Sequence, residues 1–473
     1  MLRQLLLVLA VVGPSVSGVR AAEPVVPSLP FPAPLPSSTE ALAGQIAAAL
    51  YRPDATVGAL QLVVTLRAPG RPVATAALTD HLANAFEAAL RRRATLGARV
   101  QPPIPADERV DIELVLDQSQ LAATARRSRL PINLWERLAA PGGQVLGTTF
   151  ASWPVDLELR TLLGLERAAI RLDALRVVPV AERSVPLGPA PVLDALIDDL
   201  DGDRVADLVI LQPDVVRVLA WRSGGFSVER ARYDLGALPP NPSRLRAPLG
   251  RLVAVTRADG TRLLLAASSD RAQPAALALP RGGPLTPVAG AAPHAWPLYA
   301  TTVDAWIATD WPGGTDVLAG ALAELRWGEA APLPLGELDP SHDLRAFPFR
   351  GATSPTWSPF LARMGRGGGL TLWSPAAVAA VARQGTVAVV ADLDGDGTAE
   401  LLTTADTLGP RDRLTLLGTL DDPRGPRRTW SAETQAPVTA AACGDVDRDG
   451  YNEFVIATWN GRAPELLIVV PRT

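Results

Sequence analysis

The sequence predicts a mainly β protein, a β-propeller of about five to seven blades preceded by a small α/β domain. Three observations predict it. An aspartate-rich loop between apolar β-forming runs occurs at residues 199–207 and recurs at 392–400 and 445–453. Beyond residue 191, clusters of Gly, Pro, Asp and Ser punctuate short apolar runs, the pattern of an all-β array. Before residue 182, helical stripes alternate with strand-like runs instead.

The whole chain sets the outer limits. At 473 residues it exceeds one ordinary core, so two or three domains are expected. Hydrophobic content of 48% against 20% charged residues marks a globular protein. A formal charge of −4 and a pI near 5.6 argue against a nucleic-acid partner or an anionic membrane surface. Residues 1–22 read as a secretory signal peptide: Arg3 opens it, an apolar core runs from Leu5 to Val12, and Val19-Arg20-Ala21-Ala22 offers small residues for cleavage. The apolar core is too short to span a bilayer, and no later run reaches transmembrane length. The expected location is therefore exported, periplasmic or extracellular, with no transmembrane segment after cleavage. Cys443 is the single cysteine, so no intrachain disulfide can form; buried among small apolar residues, it reads as structural.

Taken in order, residues 23–37 form a Pro-rich linker, extended and outside any core. Residues 38–181 form the α/β domain. A short helix begins at 38, a strand covers 59–66, and residues 75–93 form the strongest helix, with Leu78, Leu82, Phe86 and Leu90 on one stripe. Further strands are expected at 110–116, 121–127 and 145–159, with a short helix near 133–138. Residues 182–191 are a second linker, and 192–473 the propeller.

The repeated loops carry the chemistry. Aligned on the first aspartate, position one is Asp199, Asp392 and Asp445, and position three is Asp201, Asp394 and Asp447. Position five is Asp203, Asp396 and Asp449, and position nine is Asp207, Glu400 and Glu453. Carboxylates this close repel unless a cation joins them, and Ca²⁺ takes six to eight oxygen ligands in a flexible loop. Glycine at position six eases the turn as Gly397 and Gly450, but the first copy has Arg204 and is the least secure site. An EF-hand would need Glu at position twelve and flanking helices; Ile210, Thr403 and Ile456 stand there, within β-type runs. An acidic turn held by Asx-type hydrogen bonds is the alternative without metal.

These Asp-x-Asp-x-Asp-Gly-x-x-Glu loops, bracketed by strands such as 387–391 and 401–404, resemble the FG-GAP/VCBS repeats of integrin α subunits and secreted bacterial proteins. That resemblance implies one four-stranded blade per repeat, with Ca²⁺ in a loop between two strands. The second and third loops are 53 residues apart and the first and second 193 apart, leaving room for two or three intervening units. Degenerate copies are expected at 253–265, 310–318 and 365–373. The final run, 465–470, is expected to close the ring. More loosely, the helix after a strand, then 110–116, then Asn133-Leu-Trp-Glu-Arg137 ahead of Gly142-Gly143, resembles the amino-terminal domain of TolB-like periplasmic proteins.

Catalytic signals are sparse. His81 lies in the helical stripe, and His294 and His342 in Pro-rich stretches; none has a metal-ligand or triad context. Nine of the eleven Trp fall in the array, where packing between blades is the expected role and sugar stacking the alternative. The favoured reading is an exported calcium-binding scaffold that presents loops to a protein or glycan partner. The alternative is a secreted polysaccharide hydrolase or lyase with acidic residues in the propeller mouth. Acidic groups free in the central channel beside exposed Trp would favour the second.

Overall fold

The computed structural model describes residues 29–31, 37–68, 75–100, 106–117, 120–140, 142–155, 157–165, 171–180, 185–203, 205–222, 225–243, 245, 247–258, 260–289, 295–312, 317–329, 331–347, 360–365, 368–374, 378–381, 383–394, 398–406, 409–418, 420, 426–447 and 451–471. The expected signal peptide, residues 1–22, lies outside them. No helix among the described residues is long and apolar enough to cross a membrane.

The amino-terminal part is a five-stranded sheet carrying helices. Strand Leu60–Arg67 runs parallel to Arg99–Val100 on one side and to Glu108–Asp117 on the other. Gln120–Arg129 and Gln144–Pro154 continue the sheet antiparallel. Helix α1 (Ser38–Leu50) and helix α2 (Thr75–Arg91) bury their apolar stripes against it, through Leu42 and Ile46 from the first and Leu78, Leu82, Phe86 and Leu90 from the second. α1 starts with a capping box: Ser37 accepts from the Glu40 backbone while the Glu40 carboxylate accepts from Ser37 N. Helix α3 (Leu134–Ala139) is capped by Asn133. The strand expected over 145–159 stops at Pro154, and helix α4 (Leu157–Leu163) follows. The Glu158 carboxylate of α4 accepts from Ser38 N (2.7 Å) and the Thr39 hydroxyl (3.1 Å), so it serves a helix start far away in sequence. A second polar knot joins α1 to the sheet. Arg127 pairs with Glu108 (2.6 Å) and lies 4.0 Å from the Tyr51 ring centre, and the Tyr51 hydroxyl donates to Glu108 (3.0 Å).

Among the described residues, the rest of the chain is mainly β, and its strands group into six four-stranded units. The first holds Asp194–Asp198, Asp207–Gln212, Val215–Arg222 and Gly225–Asp234, and the second Gly250–Thr256, Arg262–Ser268, Ala275–Ala278 and Thr286–Pro287. The third and fourth share one seven-stranded sheet. The long strand Leu333–Phe347 pairs with Leu318–Arg326 in its first half and with Phe360–Gly365 in its second, changing partner at the buried Ser341. The third therefore begins with Ala295–Ala300, and the fourth ends with Leu370–Trp373 and Val378–Val381. The fifth runs Gln384–Ala391, Glu400–Ala405, Asp412–Gly418 and Arg427–Thr434. The sixth takes Val438–Gly444, Glu453–Trp459 and Pro464–Pro471, with Leu175–Pro179 as its fourth strand.

That last pairing departs from the sequence reading twice. Leu175–Pro179 falls within the range 38–181 assigned to the α/β domain, yet it hydrogen-bonds to the carboxyl-terminal strand. The expected closing run is the third strand of its sheet, and the earlier segment completes it. The first strands of the units lie beside one another in chain order, and that of the sixth lies beside that of the first. At this junction the neighbours approach closely: a Cβ on Gly444 would fall 2.4 Å from Ile197 Cγ2. Among the degenerate copies, 253–265 spans the first and second strands of its unit, equivalent to the acidic loops. The turns at 310–318 and 365–373 join second and third strands instead.

The Pro-rich linker departs as well. Leu29 and Phe31 pack on the buried cluster that includes Trp296, Leu298 and Tyr299, and the Tyr299 hydroxyl donates to the Pro30 carbonyl (3.1 Å). Two apolar side chains among prolines were enough to dock a segment expected to stay outside any core. Trp296, Trp306 and Trp373 are buried, and Trp296 meets Trp311 edge-on at 5.0 Å, so these rings pack rather than present faces.

Candidate metal loops and the central cavity

Each acidic loop leaves the first strand of its unit and enters the second. The strand registers are equivalent: Asp207 pairs with Asp198, Glu400 with Ala391, and Glu453 with Gly444. Position nine is thus always the first residue of the second strand, where the ladder fixes its backbone and turns its side chain beneath the loop. It is fully or nearly fully buried in all three copies.

The three loops differ in what the ladder brings together. In the second, carboxylate oxygens of Asp392, Asp394 and Glu400 lie within 4.8 Å of one another; in the third, those of Asp445, Asp447 and Glu453 do. In both, the position-nine glutamate also accepts from the backbone of position two: Glu400 from Leu393 N (2.7 Å) and Glu453 from Val446 N (3.0 Å). Asp396 and Asp449, with Gly397 and Gly450, lie outside the described residues. These two loops belong to adjacent units, and Asn452 of the third donates to the Asp392 carbonyl of the second (3.0 Å).

In the first loop, oxygens of Asp199, Asp201 and Asp203 cluster, and Asp207 is excluded from the group. Asx-type bonds hold the turn: Asp201 accepts from Asp203 N (3.0 Å) and Asp203 from Val205 N (2.8 Å). Arg204 lies outside the described residues. Arg230, which sequence reasoning missed, reaches this loop from the fourth strand and pairs with Asp201, Asp203 and Asp207. Burial pushes the Asp207 carboxyl up to about 7, with Arg230 acting in the opposite direction. Cys443 is enclosed near Glu453, Glu400 and Asp392; burial first, then those charges, push its thiol well up, which fits the structural role expected of it.

The first strands of the six units line a cavity of about 420 Å³. Much of its wall is apolar, from residues such as Ile197, Val253, Val389 and Ala441, and no Trp among the described residues lines it. Its lining carboxylates are Asp194, Asp198 and Asp392, the last a member of the second acidic loop. Asp194 accepts from Leu252 N (2.8 Å) and pairs with Arg345 (2.9 Å), while Asp343 pairs with both Arg345 (2.6 Å) and Arg251. Burial, reinforced by Arg345, lowers the Arg251 guanidinium to about 9, still charged at neutral pH. Toward the acidic loops, Asp198 is held by Arg262 (2.8 Å). Asp343, next to His342 in the chain, is thus occupied by two arginines.

No family model matches the chain, and no curated protein matches it. Among solved structures it is similar to TolB from Acinetobacter baumannii, at 10% identity over 78% of this chain and 92% of that one, with a TM-score of 0.29. A SapL1 lectin in complex with alpha methyl fucoside gives 10% identity, 60% and 97% coverage, and a TM-score of 0.34. The LpoB C-terminal domain from Salmonella enterica gives 12% identity, 24% and 98% coverage, and a TM-score of 0.18. Scores this low carry no argument about fold or function, so the reading below rests on the geometry of this chain.

Proposed function

We propose that this chain is an exported calcium-binding β-propeller of six blades, of the FG-GAP/VCBS type, and that it acts as a scaffold for a protein or glycan partner. The observation that carries the calcium reading is the matched geometry of the second and third loops. Each gathers three carboxylates at one strand junction around a buried position-nine glutamate, and a cation would offset their repulsion. A hard divalent ion with oxygen ligands suits that all-carboxylate donor set, and Ca²⁺ accepts such ligands in irregular geometry. The ligands would be Asp392, Asp394 and Glu400 in one loop, and Asp445, Asp447 and Glu453 in the other, with Asp396 and Asp449 at position five. The six-blade count follows from the ordered first strands and from the completion of the last sheet by Leu175–Pro179.

A scaffold is favoured over a hydrolase because the lining Asp194 and Asp198 are tied to arginines, the lining Asp392 belongs to an acidic loop, and no tryptophan among the described residues lines the wall. Export rests on the signal-like residues 1–22. Affinity capture from envelope extract, in Ca²⁺ and in EDTA, tests the reading. Recovery of a defined partner in Ca²⁺ and its loss in EDTA is expected, with bait whose mass corresponds to cleavage after Ala22. Turnover of a polysaccharide by the purified chain, abolished by substituting Asp194, would replace the scaffold reading with an enzymatic one.

A further inference from the structure

We infer that the guanidinium of Arg230 stands in for the divalent cation in the first acidic loop, so that the chain holds metal in the second and third loops alone. The inference rests on the calcium reading of those two loops. One arginine bridges carboxylates at positions three, five and nine. Its Nη1 lies 3.0 Å from both Asp207 oxygens, and its Nη2 meets Asp201 and lies 3.3 Å from Asp203. The Asp201 and Asp207 side chains are fully buried. A metal held at about 2.3–2.6 Å from those oxygens would overlap the N–H groups already bonded to them. Occupation by Arg230 and by Ca²⁺ is therefore mutually exclusive.

A strand irregularity brings the arginine there. Val218 pairs with Ala231 and Leu219 with Glu229, which leaves Arg230 as the extra residue of a β-bulge. Bulges re-aim a side chain, and this one aims it at the loop. The fifth unit has the same bulge in the same place: Leu416 pairs with Trp430 and Leu417 with Arg428, leaving Thr429. The positions correspond through the second strands, since Leu208 pairs with Leu219 and Leu401 with Leu417. Thr429 is short, and its hydroxyl donates to the Leu416 carbonyl. In the sixth unit the fourth strand is Leu175–Pro179, with Val177 opposite Val469 and no bulge. Position nine varies in step with this. The two glutamates reach the position-two amide, whereas Asp207, one methylene shorter, meets the guanidinium.

Equilibrium dialysis of the full chain against Ca²⁺, followed by elemental analysis, tests the assignment. Two equivalents are expected for the wild type, two for Asp201→Asn and one for Asp394→Asn. Three equivalents in the wild type, falling to two in Asp201→Asn, would overturn it. No bound calcium in the wild type would sink the calcium reading instead, and the arginine's role would then be judged by melting in EDTA. There Arg230→Gln is expected to lower the midpoint by roughly 10 °C, because a buried acidic cluster loses its counter-charge. Arg230→Lys, which keeps the charge and loses the fork, is expected to fall less and serves if the first variant does not fold. An unchanged midpoint in both variants would overturn the inference outright.

Discussion

Glu400→Gln separates the two forces that meet in the second loop, because the stability it gains without calcium should shrink when calcium is bound. Glu400 is almost fully buried, lies within 4.8 Å of the Asp392 and Asp394 carboxylates, and accepts from Leu393 N. Glutamine keeps an acceptor for that amide and removes one negative charge. At an effective dielectric of about 20, two like charges 4.8 Å apart repel by about 3.5 kcal/mol, so two such pairs amount to about 7 kcal/mol before solvent screening. Solvent reaching the half-exposed Asp394 reduces this to roughly 1–3 kcal/mol. In EDTA the variant should therefore be more stable than wild type by that amount. In Ca²⁺ it lacks one charged ligand; a 10- to 100-fold weaker site subtracts about 1.4–2.7 kcal/mol from that gain. Urea unfolding of both proteins at neutral pH, in millimolar Ca²⁺ and in EDTA, reads the two differences directly. An equal gain in both conditions would refute the idea that repulsion and metal binding oppose each other in this loop.

Three further outcomes are expected. Burial, helped by Glu108, raises the Tyr51 hydroxyl pKa, so the folded chain keeps this proton when the unfolded chain releases it near pH 10. Stability should fall as pH rises above about 10, and Tyr51→Phe should flatten that slope while costing about 0.5–1.5 kcal/mol at neutral pH; an unaltered slope would remove Tyr51 from the account. Gly444→Ala places a methyl against Ile197 Cγ2 at the junction of the sixth and first units and should cost about 1–3 kcal/mol, a loss that is smaller in an Ile197→Ala background, where Cγ2 is gone; additive losses in the double variant would argue against the contact. Phe31→Ala should lower the urea midpoint and expose the neighbouring segment to protease; an unchanged cleavage pattern would show that residues 29–31 contribute no docking energy.

What the sequence disclosed follows from the range of the interactions involved. The acidic loops were legible because their carboxylates fall at alternate positions between apolar β-runs, and the ladder then places position nine where the spacing implied. Helix α2 was legible from the single stripe of Leu78, Leu82, Phe86 and Leu90, which is the face it buries. The features that escaped depend on partners distant in sequence. Arg230 lies 29 residues beyond Asp201, in a run with no local mark of a bulge. Leu175–Pro179 is an ordinary short apolar run, and nothing within it names a strand near residue 469 as its partner. The docking of Leu29 and Phe31 was obscured by the surrounding prolines, which fix an extended backbone but do not prevent two side chains from packing. The cavity arginines were equally hidden, since Arg251 and Arg345 meet Asp343 and Asp194 only after three units have come together.

The claim that calcium holds the second and third loops is tested most directly by thermal unfolding of the dialysed chain in Ca²⁺ and in EDTA at equal ionic strength. Saturation of each site at about 100 times its dissociation constant adds about 2.7 kcal/mol, so the midpoint should fall by roughly 10 °C on chelation and recover when Ca²⁺ is restored. Superimposable melting curves in the two buffers would contradict it.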